Sequence, residues 1–467
     1  MKQEPIKNHF PWALSLSLYA LSYCMTLLFL KAYFWDDWLH YYSKSNSELR
    51  ELFRMRGDWP IRSFIESDVL GNRPELFRLL MISCYFLSGW FLFHILSTIK
   101  ILTNEQVRLS TILFLILPIN SARVAMCDFM WSYSLLLFYL AWYLLVTKRS
   151  RIAKFLSVPL FILSFGAVSL IIFLALPCMH LLYMKLSGPA ANKRVAYLIT
   201  ALLAMLAPLY WIIDRRFNGP QGNYLVQYTV QKSGLIRALL LLFVCAVIVF
   251  LFLKSCDKDS DKRRRPVIIS TGIITTVVGA FPYIVGGHLV DISDWLIVFV
   301  PRFSDWDSRH QLLLGLGLSL TIAGCIGSID STFKRHSLAV LFGLCVFWNV
   351  TNMHAYYLDA LKQDQVVAVI QKSDELKTSR IIMIDDLTER FNARGRGYRE
   401  YEWDGIFAKA FGDNLRSTIS GSSYVHCNNS LIPDTLLTIT AQNGRLVSTV
   451  FRDLGLVLSV ELIQPCK

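Results

Sequence analysis

Two adjacent carboxylates, Asp36 and Asp37, stand where the first long apolar segment of the chain ends. Aromatic residues of the kind that collect at membrane interfaces flank them on both sides: Tyr33, Phe34, Trp35 and Trp38. A carboxylate pair in such surroundings costs desolvation energy unless it is hydrated, paired or metal-bound. Two interpretations stay open, because the pair can cap a helix end in headgroup water or act as a general base or a metal and phosphate ligand.

Basic residues on the same predicted side of the membrane form a second group with possible chemistry. Guanidinium groups bind phosphate or pyrophosphate through paired hydrogen bonds, so these residues are candidate phosphate ligands. The candidates are Arg73, Arg123, Arg302, Arg309 and His310. Structural roles stay open for the last three. Arg302 and Arg309 can pair with Asp305 or Asp307, and His310 can be a solvated helix start.

The composition is that of a polytopic membrane protein. Of the 467 residues, 54% are hydrophobic and only 17% are charged, and the mean hydropathy is +0.43. The net charge of +13 comes mostly from basic residues in short connections between apolar runs, which indicates positive-inside topology rather than nucleic-acid binding. The first apolar run is too long for a cleavable signal peptide and has no typical cleavage site after it.

The apolar runs of the sequence predict eleven spans of a hydrocarbon core about 30 Å thick. They cover residues 11–34, 76–99, 107–123, 129–147, 152–166, 167–185, 195–213, 235–254, 267–285, 310–329 and 337–353. The run from Ile152 to Met184 is too long for one span and short for two, so we expect a re-entrant pair broken near Ser164-Phe165-Gly166. The basic loops place the N-terminus in the cytoplasm and the Asp pair outside it.

Two segments on the predicted outer side are expected to form regular secondary structure. The loop 35–75 carries apolar residues at helical spacing between Ser47 and Arg54 and again at Ile61, Phe64 and Ile65, which predicts interfacial helices above the Asp pair. The region 356–467 follows a membrane domain of residues 1–355 and predicts a small α/β domain. Its expected elements are a helix from Asp359 to Leu376 and strands at 380–385, 436–440 and 446–451.

The cysteines and the common catalytic motifs give little further information about function. Cys427 and Cys466 are the only cysteines of the C-terminal region and can form a disulfide if it faces an oxidising compartment. The sequence has no P-loop, GxSxG, HExxH or Rossmann glycine pattern. Nucleotide hydrolysis and serine-hydrolase chemistry therefore have no support from the sequence. Nor do the predicted spans carry the acidic residues that proton-coupled carriers need.

The combination resembles the GT-C glycosyltransferases, which use sugars carried on polyprenyl phosphate. The shared features are a first span that ends in Asp36-Asp37, a long outer loop, the re-entry Asn72-Arg73-Pro74, many further spans and a C-terminal outer domain. The segment from Trp35 to Pro74 is similar to the bacterial O-antigen glucosyltransferase type, although Asn72 replaces the usual glycine of the re-entry. The resemblance implies a bacterial inner-membrane enzyme with a lipid-linked sugar donor and a glycan or glycolipid acceptor.

The resemblance also implies roles for the candidate residues. One aspartate would act as general base on the acceptor hydroxyl, with Asp37 favoured as the base and Asp36 as orienter or metal ligand. The leaving polyprenyl phosphate would be stabilised by Arg73, Arg123, Arg302, Arg309 or His310, or by a divalent ion such as Mg²⁺ or Mn²⁺ held by Asp36 and Asp37. The expected activity is an inverting sugar transfer in cell-envelope glycan synthesis, such as that of lipopolysaccharide.

Two other functions stay open. A polysaccharide polymerase that joins polyprenyl-diphosphate-linked units would also show many spans and outer arginines, but an interfacial Asp pair is not its expected signature. A lipid or glycan transporter without chemistry would predict charged residues within the spans and repeat symmetry, and the sequence shows neither.

Overall fold

A computed structural model describes residues 9–42, 45–55, 60–99, 101–148, 150–186, 260–285, 311–327, 331–412, 417–420, 435–442 and 445–452, together with positions 201, 203, 205, 206, 209 and 210. Most of these residues are helical, and a small sheet lies near the end of the chain. Five helical stretches among them are long and apolar enough to cross a membrane: Trp12–Phe29, Pro74–Leu96, Met126–Thr147, Pro266–Ile284 and Phe333–Ile370. The chain therefore has the architecture of a helical membrane protein.

The helices before the long central gap in the described residues fall into two groups. The first group surrounds the Asp pair: α1 (Trp12–Tyr23, continued by the 3₁₀ segment Cys24–Phe29), α2 (Asp37–Tyr42), α3 (Asn46–Met55), α4 (Pro60–Phe64, continued by a π-helical segment Ile65–Leu70) and α5 (Pro74–Leu96). The second group follows it: α6 (Asn104–Ile116), α7 (Phe129–Thr147), α8 (Arg151–Ser164), α9 (Leu170–Phe173) and α10 (Ala175–Leu186).

The predicted count of eleven spans is only partly visible. Each of the five long stretches overlaps one predicted span, whereas helix α6 has 13 residues, a length of about 20 Å that is short for a hydrocarbon core. It ends at Ile116 because Leu117 precedes Pro118 and takes up an extended ψ of 133°. The predicted spans 195–213 and 235–254 lie outside the described residues except for the positions given above.

The predicted interruption near Ser164-Phe165-Gly166 is confirmed. Helix α8 ends at Ser164, and the chain turns before α9 and α10 begin. The side chains of Ile152 and Phe155 on α8 are exposed apolar groups, as expected of a helix that faces lipid. The two halves of this apolar run are therefore separate short helices rather than one long span.

After the gap, α11 (Ser260–Val285) and α12 (Leu314–Ile326) pack against each other at very short range through glycine. A Cβ atom at Gly272 would lie 2.4 Å from Thr321 Oγ1, and one at Gly317 would lie 2.3 Å from the backbone nitrogen of Thr276. Small residues that allow two backbones to approach are the usual basis of helix association in membranes. The glycines of these apolar helices thus have a direct packing reason.

The last long helix, α13 (Ser331–Ile370), runs through the predicted domain boundary at 356. Its 40 residues run without a break through that position over about 60 Å, twice the thickness of a hydrocarbon core. Apolar side chains such as Phe333 and Phe347 are exposed near its beginning, whereas Val366 and Ile370 are buried near its end. The helix predicted from Asp359 is therefore the end of the same helix that contains the last predicted span.

The C-terminal domain contains α14 (Asp374–Thr378), β1 (Ile381–Asp386), α15 (Glu400–Phe411), β2 (Ser417–Ser420), β3 (Thr435–Gln442) and β4 (Arg445–Arg452). The strand order is β2-β1-β3-β4, with β1 parallel to β2 and to β3 and with β4 antiparallel to β3. The three strands predicted from the sequence correspond to β1, β3 and β4. Ile382, Ile384 and Leu437 are buried in this sheet beneath α15.

The C-terminal domain shares one hydrophobic core with the segment 35–75, which is the first predicted outer loop. Trp38 and Leu70 from the loop belong to the same buried cluster as Trp403, Ile406 and Phe407 from α15. Two segments that pack together lie on the same side of a membrane, so an even number of crossings separates them. The predicted topology, with ten spans between loop and domain, meets this condition.

The predicted interfacial helices of the first loop are confirmed as helices α3 and α4. On α3, Leu49 and Phe53 are buried while Glu48 and Arg50 are exposed. On α4, the apolar side chains of Ile61 and Phe64 are more than half exposed. An exposed apolar face beside the membrane helices is what a helix at the bilayer interface needs.

Candidate functional site

The Asp pair lies in a bend between the first membrane helix and α2. The 3₁₀ segment of the first span ends at Phe29, and Trp35 has a φ of 50°, which a bulky residue rarely adopts. The ring of Trp35 is buried and packs edge-on against Tyr356 of α13 at a centroid distance of 5.5 Å. Strained backbone of this kind persists where the surroundings hold it in place, and such strain concentrates at functional sites.

Asp37 is completely buried and its oxygens are occupied. Oδ2 accepts a hydrogen bond of 3.1 Å from the backbone nitrogen of Phe34, and Oδ1 accepts one of 3.0 Å from that of Cys127. Nη2 of Arg78 lies 3.4 Å from Oδ2, and both side chains of this ion pair are fully buried. Burial raises the pKa of Asp37 to about 6, although Arg78 and the backbone donors lower it.

Arg78 is the residue that holds the bend in place. Its Nη1 and Nη2 donate to the carbonyls of Leu30 and Ala32, the second at 2.6 Å, and its Nε donates to the carbonyl of Val124 at 3.0 Å. Carbonyls just after a helix end lack intrahelical partners, so a guanidinium group there satisfies them and balances the helix dipole. Arg78 thus joins the first span, Asp37 and the loop before α7.

Arg78 was not among the predicted site residues, and its place within the predicted span 76–99 contradicts the expectation that the spans carry no charged residues. The signal was present, since an arginine near the start of an apolar span is an ionisable residue within the membrane domain, which is a functional-site candidate by default. Its partner was not evident from spacing, because Asp37 and Arg78 are 41 positions apart on different helices.

Asp36 has a different environment from Asp37. It is half-buried, and its Oδ1 accepts a hydrogen bond of 2.9 Å from the hydroxyl of Tyr401 on α15. The preference for Asp37 as the base therefore does not fit the geometry, because a carboxylate without exposed surface cannot meet an acceptor hydroxyl. Asp36 is the member of the pair that keeps exposed surface.

Arg123 lies in the loop before α7 and is almost fully buried, with 6% of its surface exposed. Its guanidinium carbon is 4.1 Å from the ring centroid of Tyr23 and 4.2 Å from that of Tyr85, so the group is held between two aromatic faces. Among the described residues, Nη1 has no hydrogen-bond partner. Burying a cation without a carboxylate partner costs free energy unless a bound anion balances its charge.

A cavity adjoins this guanidinium between α1 and α5. Its walls are Tyr19, Tyr23, Thr26, Arg78, Met81, Ile82, Arg123 and Val124. Leu27 and Leu28 on α1 and Leu79 and Leu80 on α5 are exposed apolar side chains of the same two helices. The cavity therefore lies between helices whose outer faces suit lipid and has a cationic inner wall.

Arg73 has a local role in the described structure. Its Nε donates to the carbonyl of Leu70 at 2.8 Å, and its Nη2 donates to the carbonyl of Val69. The neighbouring Asn72 accepts a hydrogen bond of 3.0 Å from the hydroxyl of Tyr33. The re-entry Asn72-Arg73-Pro74 thus fastens the end of the π-helical segment beside the Asp pair, and the guanidinium of Arg73 points to backbone rather than to Asp36 or Asp37.

Several candidate residues lie outside the described part of the chain. They are Arg302, Arg309, His310, Cys427 and Cys466, so the predicted phosphate contacts of the first three and the predicted disulfide stay predictions.

The Asp pair does not fit chelation of a divalent ion. Both oxygens of Asp37 accept backbone N–H groups, and Nη2 of Arg78 lies 3.4 Å from Oδ2. A cation held by both carboxylates would have to lie against that guanidinium, with like charges in contact. Nor do three or more His, Cys, Asp or Glu side chains converge anywhere in the part of the chain that the structure describes.

Comparisons of the chain with protein-family models, with curated proteins and with solved structures found no match. The basis for a function is therefore the geometry of the described residues. Asp36 has a partly exposed carboxylate, Arg123 has a buried guanidinium, and Arg78 pairs with Asp37 and lines the same cavity as Arg123.

Proposed function

We propose that this chain is a membrane glycosyltransferase that transfers a sugar from a polyprenyl-phosphate donor to a cell-envelope glycan on the extracytoplasmic face. The observation that supports it most is the buried guanidinium of Arg123 at the cavity between α1 and α5, because its Nη1 has no hydrogen-bond partner among the described residues. An amphiphile whose phosphate needs a cation and whose chain needs lipid-facing helices matches both properties of this cavity.

Asp36 is the general base of the proposed reaction. Its carboxylate takes the proton of the acceptor hydroxyl while the hydroxyl oxygen forms a bond to the anomeric carbon of the donor sugar. The bond between that carbon and the phosphate oxygen breaks on the opposite face, and the polyprenyl phosphate leaves with the electron pair. One displacement of this kind inverts the anomeric configuration.

Arg123 stabilises the charge that develops on the leaving phosphate. Its guanidinium is preorganised between Tyr23 and Tyr85, so it need not reorganise as the negative charge grows. Arg78 contributes its charge to the cavity wall while it holds Asp37. Asp37 has no direct chemical role in this scheme and instead fixes the bend that presents Asp36.

The test compares envelope glycans by mass spectrometry in cells that lack the protein and are complemented at equal membrane levels. The variants are wild type, Asp36→Asn, and the matched control Asp364→Asn, an exposed aspartate that pairs with Lys409 on α15 at 3.0 Å. We expect deletion to remove one sugar from the repeating unit, Asp364→Asn to restore it and Asp36→Asn to fail.

Other outcomes would point elsewhere. Polymers that become shorter with an unchanged unit would favour a polymerase. Full restoration by Asp36→Asn would remove the base from the scheme and, with it, the proposed transferase mechanism.

A further inference from the structure

The C-terminal domain reaches the candidate base directly, and we propose that Tyr401 is a positioning residue for Asp36, so that the site is complete only when this domain is docked. This inference rests on the proposed function for its chemistry. The contact itself is independent of it, because the Tyr401 hydroxyl donates to Oδ1 of Asp36 at 2.9 Å across 365 positions of the chain.

Helix α15 is fixed on both sides of Asp36. On one side, the Cζ atom of Arg396 lies 5.4 Å from the ring centroid of Trp35, and Arg396 forms two hydrogen bonds of 2.7 and 2.5 Å with Glu402. The same Glu402 accepts the backbone N–H of Arg399 at 2.9 Å, which caps the start of α15. Trp35 is thereby linked to the first turn of the helix that carries Tyr401.

On the other side, Trp38 lies flush against α15. A Cβ atom at Gly405 would come within 2.4 Å of the Trp38 ring, so only glycine allows the helix to approach this closely. Trp35 and Trp38 stand immediately on either side of Asp36 and Asp37 in the sequence. Trp35 is thus joined to α15 through Arg396 and Glu402, and Trp38 packs directly against α15 at Gly405. Two separate contacts therefore hold Tyr401 beside Asp36.

The hydrogen bond has a clear chemical effect. A donor to the charged form of a carboxylate favours that form and fixes which oxygen faces the acceptor. Burial and the nearby charge of Asp36 raise the pKa of Tyr401 above its usual range, so its hydroxyl stays a donor at all relevant pH values. The other charged or titratable groups around this contact are Asp37 and Cys127 on the membrane side and Arg399 and Glu402 on α15.

The first test is the steady-state kinetics of sugar transfer by the full chain in lipid nanodiscs. For Tyr401→Phe, we expect turnover to fall about tenfold, because the carboxylate of Asp36 is no longer held toward the acceptor. The KM for the donor should stay within about twofold of wild type, because the ring remains and the Arg123 cavity is untouched.

Two tyrosines serve as controls. Tyr41→Phe changes a tyrosine that packs on Trp38 and Tyr33 and whose hydroxyl has no hydrogen bond to the described residues. Tyr398→Phe removes a buried hydroxyl that donates to Asp359 within the junction of α13 and the domain. Both should leave turnover within about twofold of wild type, although Tyr398→Phe should lower the melting temperature. Unchanged turnover in Tyr401→Phe would overturn the positioning role.

A second measurement does not depend on sugar-transfer activity. Melting temperatures of wild type, Asp36→Asn, Tyr401→Phe and the double variant form a cycle that isolates the coupling between the two residues. We expect the double variant to be no less stable than the worse single variant. Coupled residues in a protein that transfers no sugar would support the contact and overturn the proposed function. Uncoupled residues in an active protein would overturn the contact and support the function.

Discussion

Asp37 and Arg78 form an ion pair in which neither side chain has any exposed surface, with Nη2 of the guanidinium 3.4 Å from Oδ2 of the carboxylate. The pair lies where the first membrane helix ends, and Arg78 at the same time binds backbone carbonyls of residues 30, 32 and 124. Asp37 therefore has no exposed surface, and Asp36 is the member of the pair that keeps some.

Loss of Arg78 should destabilise the protein strongly. We expect Arg78→Met to lower the free energy of unfolding by about 3–5 kcal/mol, because it leaves Asp37 buried without its counter-charge. Thermal unfolding in nanodiscs measures this, with Arg73→Met as the control because its guanidinium donates to two neighbouring carbonyls and to no carboxylate among the described residues. The double variant Asp37→Asn with Arg78→Met should lose less free energy of unfolding than the two single variants lose together. Strictly additive losses would contradict the pairing.

Protonation of Asp37 should appear in the pH dependence of stability. Its pKa is about 6 in the folded protein and 3.8 for an unperturbed side chain, so the folded state takes up the proton first as the pH falls. Stability therefore rises as the pH falls from about 6 to 4, by up to about 3 kcal/mol for a difference of two pKa units. Wild type should show this gain relative to Asp37→Asn in unfolding measurements across that range, and parallel curves would contradict it.

Removal of the Arg123 charge should separate binding from stability. For Arg123→Met, we expect affinity for a short-chain alkyl phosphate to fall by about 100-fold, since a buried charge-assisted contact to phosphate is lost. The unliganded variant should be at least as stable as wild type, because the buried charge has no carboxylate partner among the described residues. Ligand-induced shifts in melting temperature measure both quantities.

The controls for Arg123 use the same assay. The alcohol of equal chain length should give no difference between wild type and Arg123→Met, and Arg73→Met should bind the phosphate normally. Unchanged phosphate affinity in Arg123→Met would remove the anion site from the proposed scheme.

A methyl group at Gly405 should loosen the C-terminal domain. Gly405→Ala places a carbon within 2.4 Å of the Trp38 ring, and overpacking of this kind costs about 1–3 kcal/mol. Limited proteolysis should release the domain faster, and transfer activity should fall with it. Gly343→Ala is the matched control on α13, where nothing lies within 4 Å of the new methyl group and stability should rise slightly.

The sequence by itself determined the class of the protein and much of its local structure. Long apolar runs have no alternative to helices in a membrane, because every backbone polar group must be paired there. The break at Ser164 and the strands β1, β3 and β4 follow from local patterns, since run length and β-prone residues act over a few positions. The Asp pair was also evident, as two adjacent charges among interfacial aromatics.

The tertiary structure alone decided what each of these charges does. Successive residues near a helix end point in different directions, so no periodicity could say which aspartate is buried against Arg78 and which meets Tyr401. The deciding contacts join residues 41, 90 and 365 positions apart, and their geometry depends on how helices α5, α7 and α15 pack together. The continuity of α13 across residue 356 was likewise invisible to hydropathy, because a helix can continue as its surroundings change from lipid to water.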